Sequence, residues 1–255
     1  MNIFKRKEKI TMVTPEEYFF NYLSWRIDGV SNSNLSPQAV RYESFSAMAD
    51  IMLEQEANCN IPGAIHEQGE RYLYGLGIPQ NIEKAIICFN KSAMLGHPES
   101  NGRLAEIYKS DEYGMVDMKK YFELLEKSAE RGSWISMFNL ACAYYKGKNE
   151  YKGYGFTQNK KHSFEWMMKT YITTRDLLKL IFLHPCSNSF REYAKSMCQM
   201  LNRTVTLLAN QLIEGDGISK DKQQAKCILE EAISTVKELF NTSDASFEEL
   251  LQRCL

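Results

Sequence analysis

The sequence has few of the residues that break helices: six prolines and 14 glycines among 255 residues. Turns and short strands depend on these residues, so their scarcity favours long helices. The basic start of the chain is not followed by the apolar stretch that a secretory signal needs. The longest apolar run, near 177–183, is short and contains Lys179, which argues against a membrane-spanning segment.

The sequence also lacks a charge excess and paired cysteines. Lys plus Arg number 31 and Asp plus Glu number 32, whereas a dedicated nucleic-acid binder normally carries a basic stripe. The seven cysteines are an odd number without a Cys-x-x-Cys pair, which favours a reducing compartment. Cys88, Cys142 and Cys227 fall inside apolar helical patterns, where a thiol behaves as a small hydrophobe. We therefore expect a cytoplasmic protein with no nucleic-acid partner and no membrane insertion.

What the chain does contain is a repeated unit of about 36 residues. Residues 69–72 (Gly-Glu-Arg-Tyr) return as 105–108 (Ala-Glu-Ile-Tyr) and 141–144 (Ala-Cys-Ala-Tyr), and 91–93 return as 127–129. The third copy carries about six extra residues between Tyr144 and Lys169. A fourth copy at 208–218 aligns with 68–78 at an offset of 140. Such self-similarity is typical of a repeat architecture.

Each unit predicts two helices joined by a turn. In the first copy, apolar spacing predicts helices over Ala64–Tyr74 and Ile82–Leu95. Gly75 is expected to end the first helix and Asn81 to cap the second. Small residues should let the two helices of a hairpin approach closely, at Gly69, Ala105, Ala141 and Ala209. Repeated tyrosines are expected to fill the space between hairpins, at Tyr72, Tyr108 and Tyr144. One hairpin cannot cover its own apolar faces, so neighbouring hairpins should stack.

The repeated motif reads small-x-x-Tyr-x-x-Gly-x-Gly-Ile/Val, then Asn/Asp, and later Lys-Ser/Ala-Ala and Gly-His. It resembles the Sel-one-like repeat (SLR) family, a relative of the tetratricopeptide repeat. The copy at Ala64–His97 carries nearly all of the motif, whereas Ser100–Ser133 lacks the glycine pair and the fourth copy has Leu212 in place of the tyrosine. The resemblance implies an all-α fold, an α/α superhelical solenoid of stacked antiparallel helical hairpins.

The repeats divide the chain into four segments. They are an N-terminal helical cap at 1–62, three consecutive repeats at 63–173 with a loop insertion in the third, an irregular helical insertion at 174–206, and the fourth repeat with a C-terminal capping helix at 207–255. The less regular parts predict helices over Pro15–Gly29, Gln38–Asn58, Thr174–Leu183, Ser189–Leu201 and Phe247–Leu255.

No motif indicates catalysis or a metal site. The four histidines are not at metal-ligand spacing, so neither a metal nor another cofactor is expected. His97 is interpreted as a packing or capping residue and His184 as a loop residue. His66 is expected to be a solvated residue rather than a catalytic one. Ser92 recurs at a packing position and is interpreted as structural. We therefore expect no catalytic residue.

Two surfaces are candidates for binding a partner. The resemblance to tetratricopeptide repeats implies that first helices line a concave groove, which here would present His66, Glu70, Leu73, Tyr74, Glu106, Lys109, Phe138, Tyr145, Asn210 and Ile213. Exposed aromatic residues beside charges suit protein binding, although burial against neighbouring hairpins is an equal alternative for each residue. The second candidate is the glycine-rich insertion with Tyr151, Tyr154 and Phe156, which either binds a partner or packs on the following helix.

The resemblance implies a non-catalytic protein–protein interaction module or adaptor, often bacterial, that binds another protein in its concave groove. A sharper hypothesis is an immunity protein that neutralises an antibacterial secreted effector, a toxin encoded nearby. The alternative from another class is a hydrolase of the β-lactam-hydrolysing type described for cysteine-rich relatives. Those relatives depend on cysteines paired about a helical hairpin apart, a pattern that this sequence lacks.

Overall fold

The computed structural model describes residues 50–147, 157–183, 188–240 and 245–254. Within these ranges the chain forms α-helices and one short 3-10 helix, and no strand. The α-helices are α1 (Asp50–Asn58), α2 (Pro62–Tyr74), α3 (Ile82–Met94), α4 (Ser100–Lys109), α5 (Met118–Glu130), α6 (Trp134–Lys146), α7 (Lys160–Leu183), α8 (Asn188–Glu214), α9 (Lys222–Phe240) and α10 (Ala245–Cys254). The 3-10 helix spans Asp111–Tyr113.

Consecutive helices pack against each other along the chain. The pairs α2–α3, α4–α5, α6–α7 and α8–α9 form four hairpins, and each hairpin also contacts the next. The predicted all-α stack of helical hairpins is therefore confirmed.

The turn inside the first hairpin forms as the sequence predicts. Gly75 ends α2 in the left-handed region with φ 69°, where a residue with a Cβ is strained. Asn81 caps α3, since its side-chain oxygen accepts a hydrogen bond of 2.9 Å from the backbone N–H of Lys84. Asp117 caps α5 in the same way through the N–H of Lys120, at 3.0 Å.

A backbone hydrogen bond closes the same turn in all four repeats. The capping residue of each second helix donates to a carbonyl near the end of the first helix: Asn81 to Tyr72 at 2.8 Å, Asp117 to Tyr108 at 2.8 Å, Asn159 to Tyr144 at 2.9 Å and Asp221 to Leu212 at 2.9 Å. The third copy makes this bond across six more residues than the others. The extra residues expected in that copy are therefore confirmed, and they lie between Tyr144 and Asn159.

The small residues on the first helices permit close helix packing, as expected. A Cβ on Gly69 would lie 2.7 Å from Cε1 of Phe89. Ala105, Ala141 and Ala209 are fully buried. Ser92 has the structural role predicted for it: its hydroxyl donates to the carbonyl of Pro62 at 2.6 Å and so ties α3 to the start of α2.

The repeated tyrosines fill the space between hairpins only in part. Tyr72 packs against an apolar cluster that includes Leu104 and Ile107 of the next repeat, and the hydroxyl of Tyr144 donates to Glu126 of the preceding repeat at 3.3 Å. Tyr72, Tyr108 and Tyr144 are only half-buried. Each ring lies near the start of the second helix of its repeat, where Lys84 Nζ is 5.3 Å from the centroid of Tyr72 and Lys120 Nζ is 4.0 Å from that of Tyr108. This position lets the ring contact a cation while the hydroxyl remains near water.

The stretch expected to be an irregular insertion lengthens two regular helices instead. Thr174–Leu183 is the second half of α7, and Ser189–Leu201 lies within α8. The boundaries expected at 173/174 and 206/207 thus fall inside helices. Apolar residues of this stretch are buried in the largest core cluster, among them Leu177, Leu178, Met197 and Leu201. His184 lies outside the described residues.

At the N-terminal end, only the last part of the expected cap is described. Pro15–Gly29 lies outside the described residues, and Gln38–Asn58 is described only as α1. Leu53 and Ala57 of α1 are buried against Ala64 and Ile65 of α2. At the other end, α10 matches the expected terminal helix to within two residues. None of the described helices combines the length and apolar character needed to cross a membrane.

Candidate functional site

The first helices of the four repeats form a surface with two cavities. We call this surface, made by α2, α4, α6 and residues 207–214 of α8, the first-helix face. The larger cavity, of about 320 Å³, lies between α6 and α8. The smaller, of about 50 Å³, lies between α4 and α6. We refer to them as the large and the small cavity.

The large cavity is mostly apolar. It is lined by Cys142, Tyr145, Lys146, Met167, Leu207, Asn210, Gln211, Glu214 and Asp216. Tyr145 and Leu207 are each 38% exposed and form part of its rim. Burial raises the pKa of the Cys142 thiol, so this side chain remains an uncharged part of the wall at neutral pH.

Charged groups at the rim of the large cavity are matched within the protein. Asp216 accepts hydrogen bonds from Lys160 and from the hydroxyl of Tyr145, the latter at 2.7 Å. These two hydrogen bonds, that of Lys160 first, lower the pKa of Asp216. On the opposite side, Arg253 donates to Glu214 at 2.7 Å and to Asn210 at 2.8 Å. The rim therefore joins the third repeat, the fourth repeat and α10.

Gln211 is a buried polar residue in the wall of the large cavity. Only 4% of it is exposed. Its side-chain N–H donates to the carbonyl of Asp216 at 3.4 Å. Its side-chain oxygen, Oε1, is buried and has no hydrogen-bond partner in the described part of the chain. A buried acceptor of this kind is uncommon, because leaving it unpaired is costly.

The small cavity is polar and has more acidic than basic groups. It is lined by Glu99, Gly102, Arg103, Glu106, Leu125, Ser133, Ile135, Ser136 and Asn139. Arg103 is already paired with Glu70, at 2.7 Å between Nε and Oε1. Burial raises the pKa of Glu70, an effect that the charge of Arg103 only partly offsets.

One face of α6 connects the two cavities. Ile135 and Asn139 line the small cavity, and Cys142 and Lys146 line the large one. These four residues follow each other at steps of four, three and four, which places them on the same side of a helix. The two cavities are therefore neighbouring parts of one surface.

The structure buries three of the ten groove residues expected from the sequence. His66, Leu73 and Ile213 are 4%, 3% and 7% exposed, so the expectation that they face a partner is wrong for these side chains. These three side chains are buried against neighbouring helices, which is the alternative that the sequence leaves open. Among the other seven, Tyr74, Lys109 and Tyr145 are exposed, and Glu70, Glu106, Phe138 and Asn210 are half-buried.

Only some of the ten groove residues expected from the sequence line the two cavities. Tyr145 and Asn210 meet at the large cavity, and Glu106 lines the small one. Sequence reasoning missed Leu207, Gln211, Ile135 and Asn139. Helical spacing could have indicated Leu207, which lies one turn before Asn210. The loop residues Tyr151, Tyr154 and Phe156 lie outside the described residues.

His66 belongs to a buried polar cluster between the first two repeats. Its ring stacks on that of His97 with centroids 4.2 Å apart. The Nδ1 atoms of His66 and His97 lie 2.9 Å and 3.1 Å from the hydroxyl of Ser100. His97 thus has the packing role expected of it, whereas the expectation of a solvated His66 is wrong.

The hydrogen bonds of this cluster fix the direction of each donor. The hydroxyl of Ser92 donates to the carbonyl of Pro62, so it must accept from Ser100, at 2.9 Å. The single proton of Ser100 is thereby used, and both imidazole Nδ1 atoms must donate to its oxygen. Ser100 is fully buried, and its hydroxyl is committed to holding the two repeats together.

Cysteine and metal chemistry receive no support from the described part of the chain. Its six cysteines are free thiols: Cys59, Cys88, Cys142, Cys198, Cys227 and Cys254. Cys227 is exposed, so the expectation of an apolar packing role is wrong for that residue. Among the described residues, no group of three or more His, Cys, Asp or Glu side chains could hold a metal ion.

A comparison with a solved structure supports the fold. A Sel1 repeat protein from Oxalobacter formigenes superimposes with a TM-score of 0.52 at 16% sequence identity, covering 94% of this chain and 85% of that one. A protective antigen of uropathogenic Escherichia coli strains, described as displaying an SLR fold, gives a TM-score of 0.43 at 17% identity. That match covers 94% of this chain, which spans 56% of the Escherichia coli protein. No curated protein matches the sequence.

The family model gives the more direct result. The model of the Sel1 repeat matches residues 63–97, 98–133, 134–169 and 207–232. These ranges coincide with the four copies found in the sequence and make up just over half of the chain. The protein therefore belongs to the Sel1 repeat family.

Proposed function

We propose that this protein is a protein-binding module whose first-helix face holds a segment of a partner protein. Sel1 repeats are typically protein–protein interaction modules, which supports the proposal at the level of the family. The observation that carries it is the pair of cavities connected by one face of α6.

The chemistry of this surface suits a protein partner. Interfaces draw most of their binding energy from a few aromatic and apolar residues that become desolvated in pockets. Tyr145 and Leu207 are placed at such a pocket. The hydroxyl of Tyr145 is held by Asp216 at 2.7 Å, so the ring is oriented before a partner arrives and loses little freedom on binding.

The test begins with affinity capture from extracts of the native cell and continues with a purified candidate. Titration calorimetry would compare the wild-type protein, Tyr145→Ala and Ile87→Ala. Ile87 is 66% exposed and lies on α3, a second helix. We expect Tyr145→Ala to weaken binding about tenfold or more and Ile87→Ala to leave the affinity unchanged. The reverse order would place the partner on the second helices and would contradict the proposal.

A narrower form of the proposal is an immunity protein that neutralises a secreted antibacterial effector encoded nearby. The helical Sel1 repeat stack, which could bind such an effector in one-to-one stoichiometry, is what supports it. Co-expression with the adjacent reading frame is the test. Protection by the wild-type protein and loss of protection in Tyr145→Ala are expected. Absence of both protection and a complex would exclude the immunity role without excluding another protein partner.

A further inference from the structure

We propose that the partner segment is an extended peptide with two anchors: a large apolar side chain for the large cavity and, about four residues away, a basic or amide side chain for the small cavity. This inference rests on the proposed function, since it specifies what the first-helix face holds. It is carried by the size and lining of the two cavities and by the distance between them.

The large cavity fits an aromatic or large aliphatic side chain. Its volume of about 320 Å³ is roughly twice that of an apolar cavity able to hold benzene. Cys142, Met167 and Leu207 supply apolar walls. The charged groups at the rim, Glu214 and Asp216, are already bound by Arg253 and Lys160. A charged anchor would therefore find no unmatched partner among these two groups, whereas an apolar anchor loses water-exposed surface.

Gln211 adds a polar requirement to the large cavity. Its buried Oε1 accepts no hydrogen bond in the described part of the chain, and the residue lines the cavity wall. Less than 1 Å² of this atom is exposed, so an anchor reaches it only when the Gln211 side chain turns toward the cavity. A hydroxyl, amide or indole N–H on the anchor would then supply the donor that Oε1 lacks, which a purely apolar small molecule cannot do.

The small cavity favours a donor or a cation. Glu106 lines it together with Arg103. Since Arg103 is ion-paired with Glu70 at 2.7 Å, its charge does not neutralise the Glu106 carboxylate, and the cavity has an excess of negative charge. A Lys, Arg, Asn or Gln side chain of the partner would complement this excess, and an Asp or Glu would be repelled.

The geometry of α6 sets the spacing of the anchors. The midpoints of the two lining pairs, Ile135 with Asn139 and Cys142 with Lys146, are seven residues apart, or about 10 Å along the helix axis. On this shared face the small cavity lies toward α4 and the large cavity toward α8, so the two are also offset across α6 by roughly one interhelical distance, 8–10 Å. The combined separation of about 14 Å corresponds to about four residues of extended chain.

The experiment is a selection of phage-displayed random dodecapeptides on the immobilised full-length protein. Enriched peptides would then be synthesised with a fluorescent label and titrated by fluorescence polarisation. We expect enriched sequences to contain one large apolar residue and a Lys, Arg, Asn or Gln three to five positions away. Leu207→Arg should weaken their binding at least tenfold, and Glu106→Gln three- to tenfold for basic peptides.

Ile87→Arg is the matched control, because it introduces the same charge at an exposed aliphatic residue of a second helix. It should leave peptide affinity unchanged. Gln211→Leu is a second cavity variant that keeps the size of the side chain and removes the acceptor, and it should weaken binding without enlarging the cavity. Circular dichroism and thermal melts would compare the folding of all four variants.

Several outcomes would overturn the inference. Peptides that bind equally well to the wild type and to Leu207→Arg would exclude the large cavity as their anchor site. A captured partner protein that no longer binds Tyr145→Ala would still support the proposed function. A spacing of about nine residues would indicate a helical segment, at 1.5 Å per residue. Failure to enrich any peptide, with an apolar dye such as ANS bound by the wild type and not by Leu207→Arg, would indicate a small-molecule site instead.

Discussion

A histidine can be buried in a protein core when neighbouring hydroxyl and carbonyl groups accept its ring proton. At the junction of the first two repeats, Pro62, Ser92 and Ser100 form a chain of hydroxyl and carbonyl groups that receives the Nδ1 protons of His66 and His97. Buried hydrogen-bond networks rigidify a core, and removing one member is costly. The junction therefore depends on each member of the chain.

This arrangement leads to a first prediction, the relative cost of two alanine substitutions. His66→Ala should lower the free energy of unfolding by roughly 2–4 kcal/mol, because it leaves a cavity and removes a donor from Ser100. Tyr108→Ala should cost only about 1 kcal/mol, since that ring is half-buried and contacts Lys120 at the surface. Urea unfolding followed by circular dichroism measures both. A larger loss for Tyr108→Ala would contradict the structure and support the sequence-based expectation.

Single residues could be predicted from the sequence where their partners are local. Asn81 was predicted as a cap because its partner, the N–H of Lys84, is three residues away. His66 could not be assigned in this way, since Ser100 belongs to the next repeat, 34 residues further along the chain. A helical-wheel argument describes the face of one helix and says nothing of what the neighbouring repeat places against it.

At the scale of helices, a small side chain at the contact lets the two helices of a hairpin pack closely. Gly69 brings α2 against the ring of Phe89 on α3, which is fully buried. The repeats that carry alanine at this position hold Ala105 and Ala141 fully buried as well. Each of these three hairpins therefore has a small residue where its two helices meet.

A second prediction concerns Gly69→Ala. The added Cβ would lie 2.7 Å from Phe89 Cε1, so the ring or the helix must shift, at a cost of about 1–3 kcal/mol. This outweighs the gain of up to about 1 kcal/mol that alanine normally gives over glycine inside a helix. Gln68→Ala, on the same helix, is the control and should change stability little. A net stabilisation of Gly69→Ala in thermal melts would show that the contact is easily relieved.

The long helices α7 and α9 are joined by a polar contact. The hydroxyl of Tyr171 donates to Glu231 at 2.6 Å, and Arg175 lies 3.0 Å from the same carboxylate. Burial alone would raise the pKa of Glu231, but the hydrogen bond from Tyr171 and the charge of Arg175 together lower it below 4.5. The carboxylate is thus more stable in the folded protein than in the unfolded chain.

The sign of this shift gives a third prediction. A lowered carboxyl pKa contributes stability that is present above pH 4.5 and is lost as the pH falls through the folded-state value. Tyr171→Phe should cost about 1–2 kcal/mol at pH 7, and the difference from the wild type should shrink toward pH 3. Urea titrations at both pH values measure this. A difference that is independent of pH would assign the cost to packing alone.

At the scale of the molecule, buried apolar residues are distributed unevenly over the described helices. The largest cluster joins α6, α7, α8, α9 and α10, whereas smaller, separate clusters involve α1 to α6. In a repeat stack, stability is close to a sum of local and nearest-neighbour contributions. The two ends of the described stack are therefore expected to open with different free energies.

A fourth prediction follows for hydrogen exchange. Backbone amides in the middle of α8, around Met197–Val205, should exchange roughly ten or more times more slowly than those of α2 and α3 under native conditions. Exchange read by mass spectrometry on peptic fragments measures the difference. Equal protection along the chain would show that the stack unfolds as one cooperative unit.

The architecture could be predicted from sequence because it repeats. The offset of 36 between 69–72 and 105–108 is visible without any tertiary information, and it led to the hairpins and their stacking. The stretch at 174–206 has no such offset, so its continuity with α7 and α8 depends on long-range packing alone. The large cavity has the same origin, since Tyr145 and Asp216 meet across 71 residues of chain.

The residues that flank the insertion of the third repeat lie next to each other. The backbone of Gly147 lies against Gln158, since a Cβ on Gly147 would be 2.2 Å from Gln158 Cα, and Asn159 closes the turn onto Tyr144 as in the shorter repeats. The number of residues between Gly147 and Gln158 can therefore change without shifting the flanking helices. The entropic cost of closing a longer connection grows only slowly with its length. This position is therefore expected to tolerate insertions. A protease site, an epitope or a small reporter domain placed there should leave the described helices intact.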